Sequence, residues 1–61
     1  MKEIIEILMR RDGNTKQEAI GRIKTCQSLI YEAVDSGEYW EAEDILMDEL
    51  GLEMDYIIYL L

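Results

Sequence analysis

With 61 residues, a single cysteine, no histidine and a net charge of −8, the chain is predicted to be one small domain, residues 1–61, that folds without an intrachain disulfide and without a histidine or thiolate metal cluster. Lack of histidine also removes the commonest general base, and carboxylate chemistry needs a partly desolvated pocket that a few short helices rarely enclose. The expectation is a non-catalytic protein with no cofactor and no metal.

The first helix is predicted from about Lys2 to Arg11, because Ile4, Ile5, Leu8 and Met9 recur on one helical face. Arg10 and Arg11 suit the negative end of its dipole, and Asp12-Gly13-Asn14 supplies residues that tolerate a left-handed backbone. Thr15 and Glu18 form a capping box that starts a second, longer helix at Lys16. Its stripe of Ala19, Ile20, Ile23, Cys26, Ile30, Ala33 and Val34, widened by Leu29, continues to about Asp35. Cys26 on that stripe reads as a buried, inert thiol. Gly21 sits inside the helix at a cost of about 1 kcal/mol relative to alanine, tolerable if a neighbouring helix packs close there.

Ser36-Gly37 breaks the pattern, and Glu38 to Leu50 resumes it. So short a break implies an antiparallel helical hairpin with Tyr39, Ala42, Ile45, Leu46 and Leu50 on the inner face. Glu41, Asp44 and Asp48 then form an outer stripe, extended by Glu38. Gly51 reads as a left-handed cap, and Glu53 as the cap of a last short helix, Met54 to Leu61, with Leu52 and Ile57 as a hydrophobic staple. Two turns do not persist alone in water, so this helix docks on its own hairpin or on another subunit. The fold class is therefore all-α: a compact bundle of three to four short helices around a central antiparallel hairpin.

Charge is segregated along the chain. All six bases lie in the first 24 residues beside four acids, a balance of +2, whereas residues 25–61 hold ten acids and no base, a balance of −10. That balance repels nucleic acid and favours a basic protein surface, so Arg10, Arg11, Lys16, Arg22 and Lys24 read as ordinary solvated charge and helix-end complementation. Ordinary surface helices intersperse lysine with glutamate, and the second half forgoes those pairs. The candidate partner-binding residues are Glu38, Trp40, Glu41, Glu43, Asp44, Asp48 and Glu49. Trp40 reads two ways, as a partly exposed anchor within an acidic rim or as a cover for the core's edge. The alternative is a homodimer through the apolar residues Tyr56, Ile57, Leu60 and Leu61. Acids inside the first apolar stretch argue against a signal peptide, and the longest apolar run, Tyr56 to Leu61, falls far short of the ~20 residues of a membrane span, so a reducing cytoplasm is the expected compartment.

The strings Arg10-Arg11-Asp12-Gly13-Asn14-Thr15, Gly37-Glu38-Tyr39-Trp40-Glu41-Ala42-Glu43-Asp44-Ile45-Leu46 and Leu50-Gly51-Leu52-Glu53-Met54-Asp55-Tyr56 together resemble short acidic helical proteins encoded by bacterial phages and mobile elements. That resemblance implies an inhibitor or regulator acting in a bacterial cytoplasm, and the class includes DNA mimics that block nucleases such as CRISPR effectors. The Gly-x-Tyr-x-x-Ala-x-x-Ile-Leu pattern also resembles one tetratricopeptide unit, of which a lone copy forms no repeat array.

Overall fold

The computed structural model describes residues 1–60. Three α-helices, α1 (Lys2–Asp12), α2 (Lys16–Asp35) and α3 (Glu41–Leu50), are followed by a 3-10 helix, Met54–Tyr59. No strand occurs among the described residues. The long axis of the molecule measures 34 Å against 19 and 17 Å across it. It is set by α2, whose 20 residues span about 30 Å at 1.5 Å per residue.

Local chemistry accounts for each boundary. Gly13 ends α1 in the left-handed region at φ 68°, its amide donating to the Leu8 carbonyl. Thr15 Oγ1 accepts from the Glu18 amide at 3.1 Å, and the Glu18 carboxylate accepts from the Thr15 amide at 2.8 Å, so the capping box forms as expected. Gly51, at φ 63°, terminates α3 with its amide directed at the Leu46 and Met47 carbonyls.

One stripe of α2 supplies the centre of the core. Ala19, Ile23, Cys26 and Ile30 are buried against Ile4 and Leu8 of α1, Ala42, Leu46 and Leu50 of α3, and Leu52 and Leu60 beyond it. The small side chains Ala19, Cys26 and Ala42 let the helices approach closely, and α2 packs most extensively on α3.

Three expectations need correction. The hairpin turn is longer than a two- or three-residue break, because Gly37 at φ 79° reverses the chain and the Glu38 amide folds back to the Ala33 carbonyl at 2.8 Å. Helix α3 therefore starts at Glu41, and Tyr39 sits in the turn, 67% exposed, instead of on the inner face. Val34 is 51% exposed because α2 outruns α1, which has 11 residues and covers only about 16 Å of it. Gly21 has open space where a Cβ would stand, so no neighbouring helix explains it.

The last segment winds as a 3-10 helix, with the Tyr56 amide bonded to Glu53 and that of Leu60 to Ile57. A three-residue period aligns side chains at i and i+3. Ile57 and Leu60 thus face the core together, while Asp55 and Ile58 share the outer line. The Glu53 side chain makes no capping bond, whereas the predicted staple pair Leu52 and Ile57 both join the core. The segment docks on its own chain: it contacts α1 and α3, and Gln27 Nε2 donates to the Leu60 carbonyl at 2.7 Å.

The two glycines should respond oppositely to alanine. Gly21→Ala is expected to stabilise the protein by about 0.5 to 1 kcal/mol, since an open helical site gains propensity. Gly51→Ala is expected to cost about 1 to 2 kcal/mol through its left-handed backbone, and its Cβ would also meet the Arg11 guanidinium at 3.3 Å. Urea denaturation of the two variants reads both signs, and a destabilised Gly21→Ala protein would contradict this description of α2.

Candidate functional site

The C-terminal end of α3 has no base of its own in the last turn, although the helix dipole places partial negative charge there. Two arginines supply it from other helices. Arg11, in the last turn of α1, donates to the Leu50 carbonyl and, at 3.1 Å, to that of Gly51. Arg22, on α2, reaches the Glu49 carbonyl at 3.1 Å. Asp12 holds both guanidinium groups, accepting from Arg11 at 2.8 Å and from Arg22 at 2.7 Å, and Asn14 Oδ1 accepts from Arg22 at 2.6 Å. These contacts draw the carboxyl of Asp12 well below the usual carboxylate range, the bond from Arg11 contributing most. Expected to be ordinary solvated charge and local helix-end complementation, Arg11 and Arg22 instead join all three helices.

Clamped at this end, α3 presents its opposite face to solvent. Glu41, Asp44 and Asp48 are exposed and lie on one line, since residues three, four and seven apart share a helical face. Glu38, exposed in the turn, extends that line. Its charge, then burial, then the charge of Asp44 hold the Glu41 carboxyl above its ordinary value. Trp40, which caps α3 with nearly helical angles, is 66% exposed and does not cover the edge of the core. It leads a row through Asp44 and Met47, four and seven residues on, and Met47 is exposed as well. Tyr39 meets Trp40 edge to face, with ring centroids 5.7 Å apart and planes at 70°.

The remaining candidates separate. Glu43 is exposed on one flank of α3. Glu49 is half-buried on the other flank, beside Gly21, Arg22 and Thr25 in a shallow depression. It therefore shares no face with the Glu41–Asp48 line. Of the residues proposed for self-association, Leu60 is 3% exposed within the chain's own core, Tyr56 and Ile57 are half-buried, and Leu61 lies outside the described residues. Among the described residues no three potential ligands converge as a metal site would require, and no helix is long and apolar enough to cross a membrane. Cys26 is buried, and its thiol is held above its usual value by burial and then by the charge of Glu49.

Several exposed apolar groups were not legible in advance. Tyr31, Val34 and Tyr39 join Trp40 in the half of the molecule that α1 does not cover. The one available signal was relative length, a first helix about half as long as the second. No known protein family matches the chain, and neither a curated protein nor a solved structure is detectably similar to it.

The two perturbed carboxylates predict the acid dependence of folding. The value of Asp12 falls on folding, so its contribution is complete above its ordinary value of about 3.9 and is lost as pH drops below it. That of Glu41 rises, so its ionised form opposes folding at neutral pH, and protonation relieves this as pH descends into the carboxylate range. Thermal stability should therefore increase as pH falls from about 7 into the carboxylate range and decline below about pH 4. Glu41→Gln should flatten the rise and Asp12→Asn the decline. A melting temperature that falls steadily from pH 7 would contradict the acidic line's destabilising role.

Proposed function

We propose that the protein is a non-catalytic binding module that offers the outer face of α3 to a basic surface of another protein. The observation that carries this reading is the exposure of Trp40 beside the line formed by Glu41, Asp44 and Asp48. Large exposed aromatics within a charged rim are the usual anchors of protein interfaces. An acidic helix that kept only its own solubility would gain more from interspersed lysines.

The partner class that suits this face is a nucleic-acid-binding groove lined with arginine and lysine. Carboxylates on successive turns repeat about every 5 Å along α3, the same order as the ~3.4 Å between charges along one strand of duplex DNA. Together with the resemblance to acidic phage and mobile-element proteins, this supports an inhibitor or regulator that occupies such a groove in a bacterial host protein, a CRISPR effector being one example. The competing reading, a homodimer through Tyr56, Ile57, Leu60 and Leu61, would require Leu60 to leave the chain's own core.

Capture from a bacterial lysate tests the proposal when wild type is compared with a Glu41→Lys, Asp44→Lys, Asp48→Lys triple variant. Wild type should retain basic nucleic-acid-binding proteins at low salt, release them on adding duplex DNA or at about 0.5 M salt, where screening reaches within ~5 Å, and the variant should retain none of them. Equal retention by the two proteins would contradict the acidic-face mechanism.

A further inference from the structure

The end of the molecule beyond the reach of α1 combines unpaired acids with exposed aromatic rings. Between Leu29 and Asp44 the chain carries six acids and no base, yet it exposes Tyr31, Val34, Tyr39 and Trp40. Exposed rings and crowded carboxylates are each unfavourable for an isolated domain, the former through hydration of apolar surface and the latter through mutual repulsion. A second copy of the chain is a poor occupant for this tip, because pairing tip to tip would set six carboxylates against six. A neutral apolar partner would bury the rings but would also desolvate the neighbouring carboxylates without compensation. The occupant must cover aromatic faces and neutralise carboxylates at once.

Arginine meets both requirements in one side chain. Its guanidinium is planar and weakly hydrated, stacks on aromatic faces, and still forks to carboxylates through its edge, whereas the lysine ammonium is compact and strongly hydrated. Tyr39 and Trp40 stand edge to face at 70°, an arrangement that leaves an indole face available to a flat cation. Glu38 precedes these rings and Glu41 follows them in the chain; the Glu41 amide donates to the Glu38 carbonyl at 2.9 Å, and both residues line one depression beside the rings. From this juxtaposition we infer that the Tyr39–Trp40 corner is an arginine-selective docking point, which seats a guanidinium of the partner on the indole while Glu38 and Glu41 accept its N–H groups. The inference rests on the acidic-face reading above and narrows it from basic partners in general to arginine-bearing ones.

The test compares the full chain with its Trp40→Leu and Glu41→Lys variants, with an unchanged helical circular dichroism spectrum as the check on folding at these exposed positions. The probes are fluorescein-labelled nona-arginine and nona-lysine, equal in length and charge, with binding followed by anisotropy at about 0.15 M salt. The unmodified chain should bind nona-arginine about fivefold more tightly than nona-lysine, as a cation–π contact of ordinary strength provides. Trp40→Leu should bring that ratio close to one while leaving the nona-lysine affinity within about twofold. A ratio near one in the unmodified chain, or a preference that survives Trp40→Leu, would overturn the inference. If the two peptides bind equally and Glu41→Lys weakens both, arginine selectivity alone falls and the acidic face stands. If neither peptide binds, both fall together.

Discussion

The fold depends on a junction at one end, where Arg11 and Arg22 converge on the terminal carbonyls of α3 and are held in place by Asp12. The last turn of an α-helix leaves carbonyls without partners and gathers partial negative charge. In α3 that turn also contains Asp48 and Glu49 and lacks any base, so the helix end is electrostatically unfavourable if left to itself. Charge-assisted bonds from α1 and α2 correct this and at the same time fix where α3 lies. Because they link Asp12, Asn14 and Arg22 with residues 49–51, they tie the turn after α1 to the far end of the hairpin.

This junction changes the meaning of the charge segregation. The acidic half of the chain does not lack counter-charges; it borrows two of the six bases across the tertiary structure, at the helix end where they are needed most. The acids of the outer line gain no such partner. In the first turn of α3, Glu41, Glu43 and Asp44 are partly accommodated by the positive end of the dipole, but Glu38, Glu41 and Asp44 still crowd one another. The part of α2 that α1 leaves uncovered, with the turn that follows it, exposes Tyr31, Val34, Tyr39 and Trp40. The proposed function assigns this uncovered end to a partner.

Much of this architecture was legible from residue patterns. Thr15 and Glu18 marked the start of α2, Gly13 and Gly51 marked helix ends, and the spacing of Ile4 and Leu8, of Ile23, Cys26 and Ile30, and of Ala42, Leu46 and Leu50 identified the buried faces. Those signals are local, and each states its own reason. What could not be read depended on the relative placement of elements. Val34 belongs to the apolar stripe of α2 by periodicity, yet its exposure is decided by where α1 stops. Tyr39 was misplaced because Gly37 allows the chain to reverse one turn before α3 begins. The 3-10 winding after Glu53 follows from docking a short segment across α1 and α3, which no propensity specifies. Arg11 and Arg22 were indistinguishable in sequence from the other bases, since their partners are backbone carbonyls some 27 to 40 residues away. At the candidate site, helical spacing correctly grouped Glu41, Asp44 and Asp48, whereas Glu49 turned out to face α2.

The most direct test of this account compares four single substitutions that remove the same charge: Arg11→Gln, Arg22→Gln, Arg10→Gln and Lys24→Gln, measured by urea denaturation at neutral pH. Loss of Arg11 or Arg22 should cost about 1 to 2 kcal/mol, the lower part of the range for hydrogen bonds from charged groups because both are partly solvated, while loss of Arg10 or Lys24, both exposed, should stay within about 0.5 kcal/mol. Equal destabilisation by all four would mean that net charge alone is being measured, and the junction would then not be what holds α3 in place.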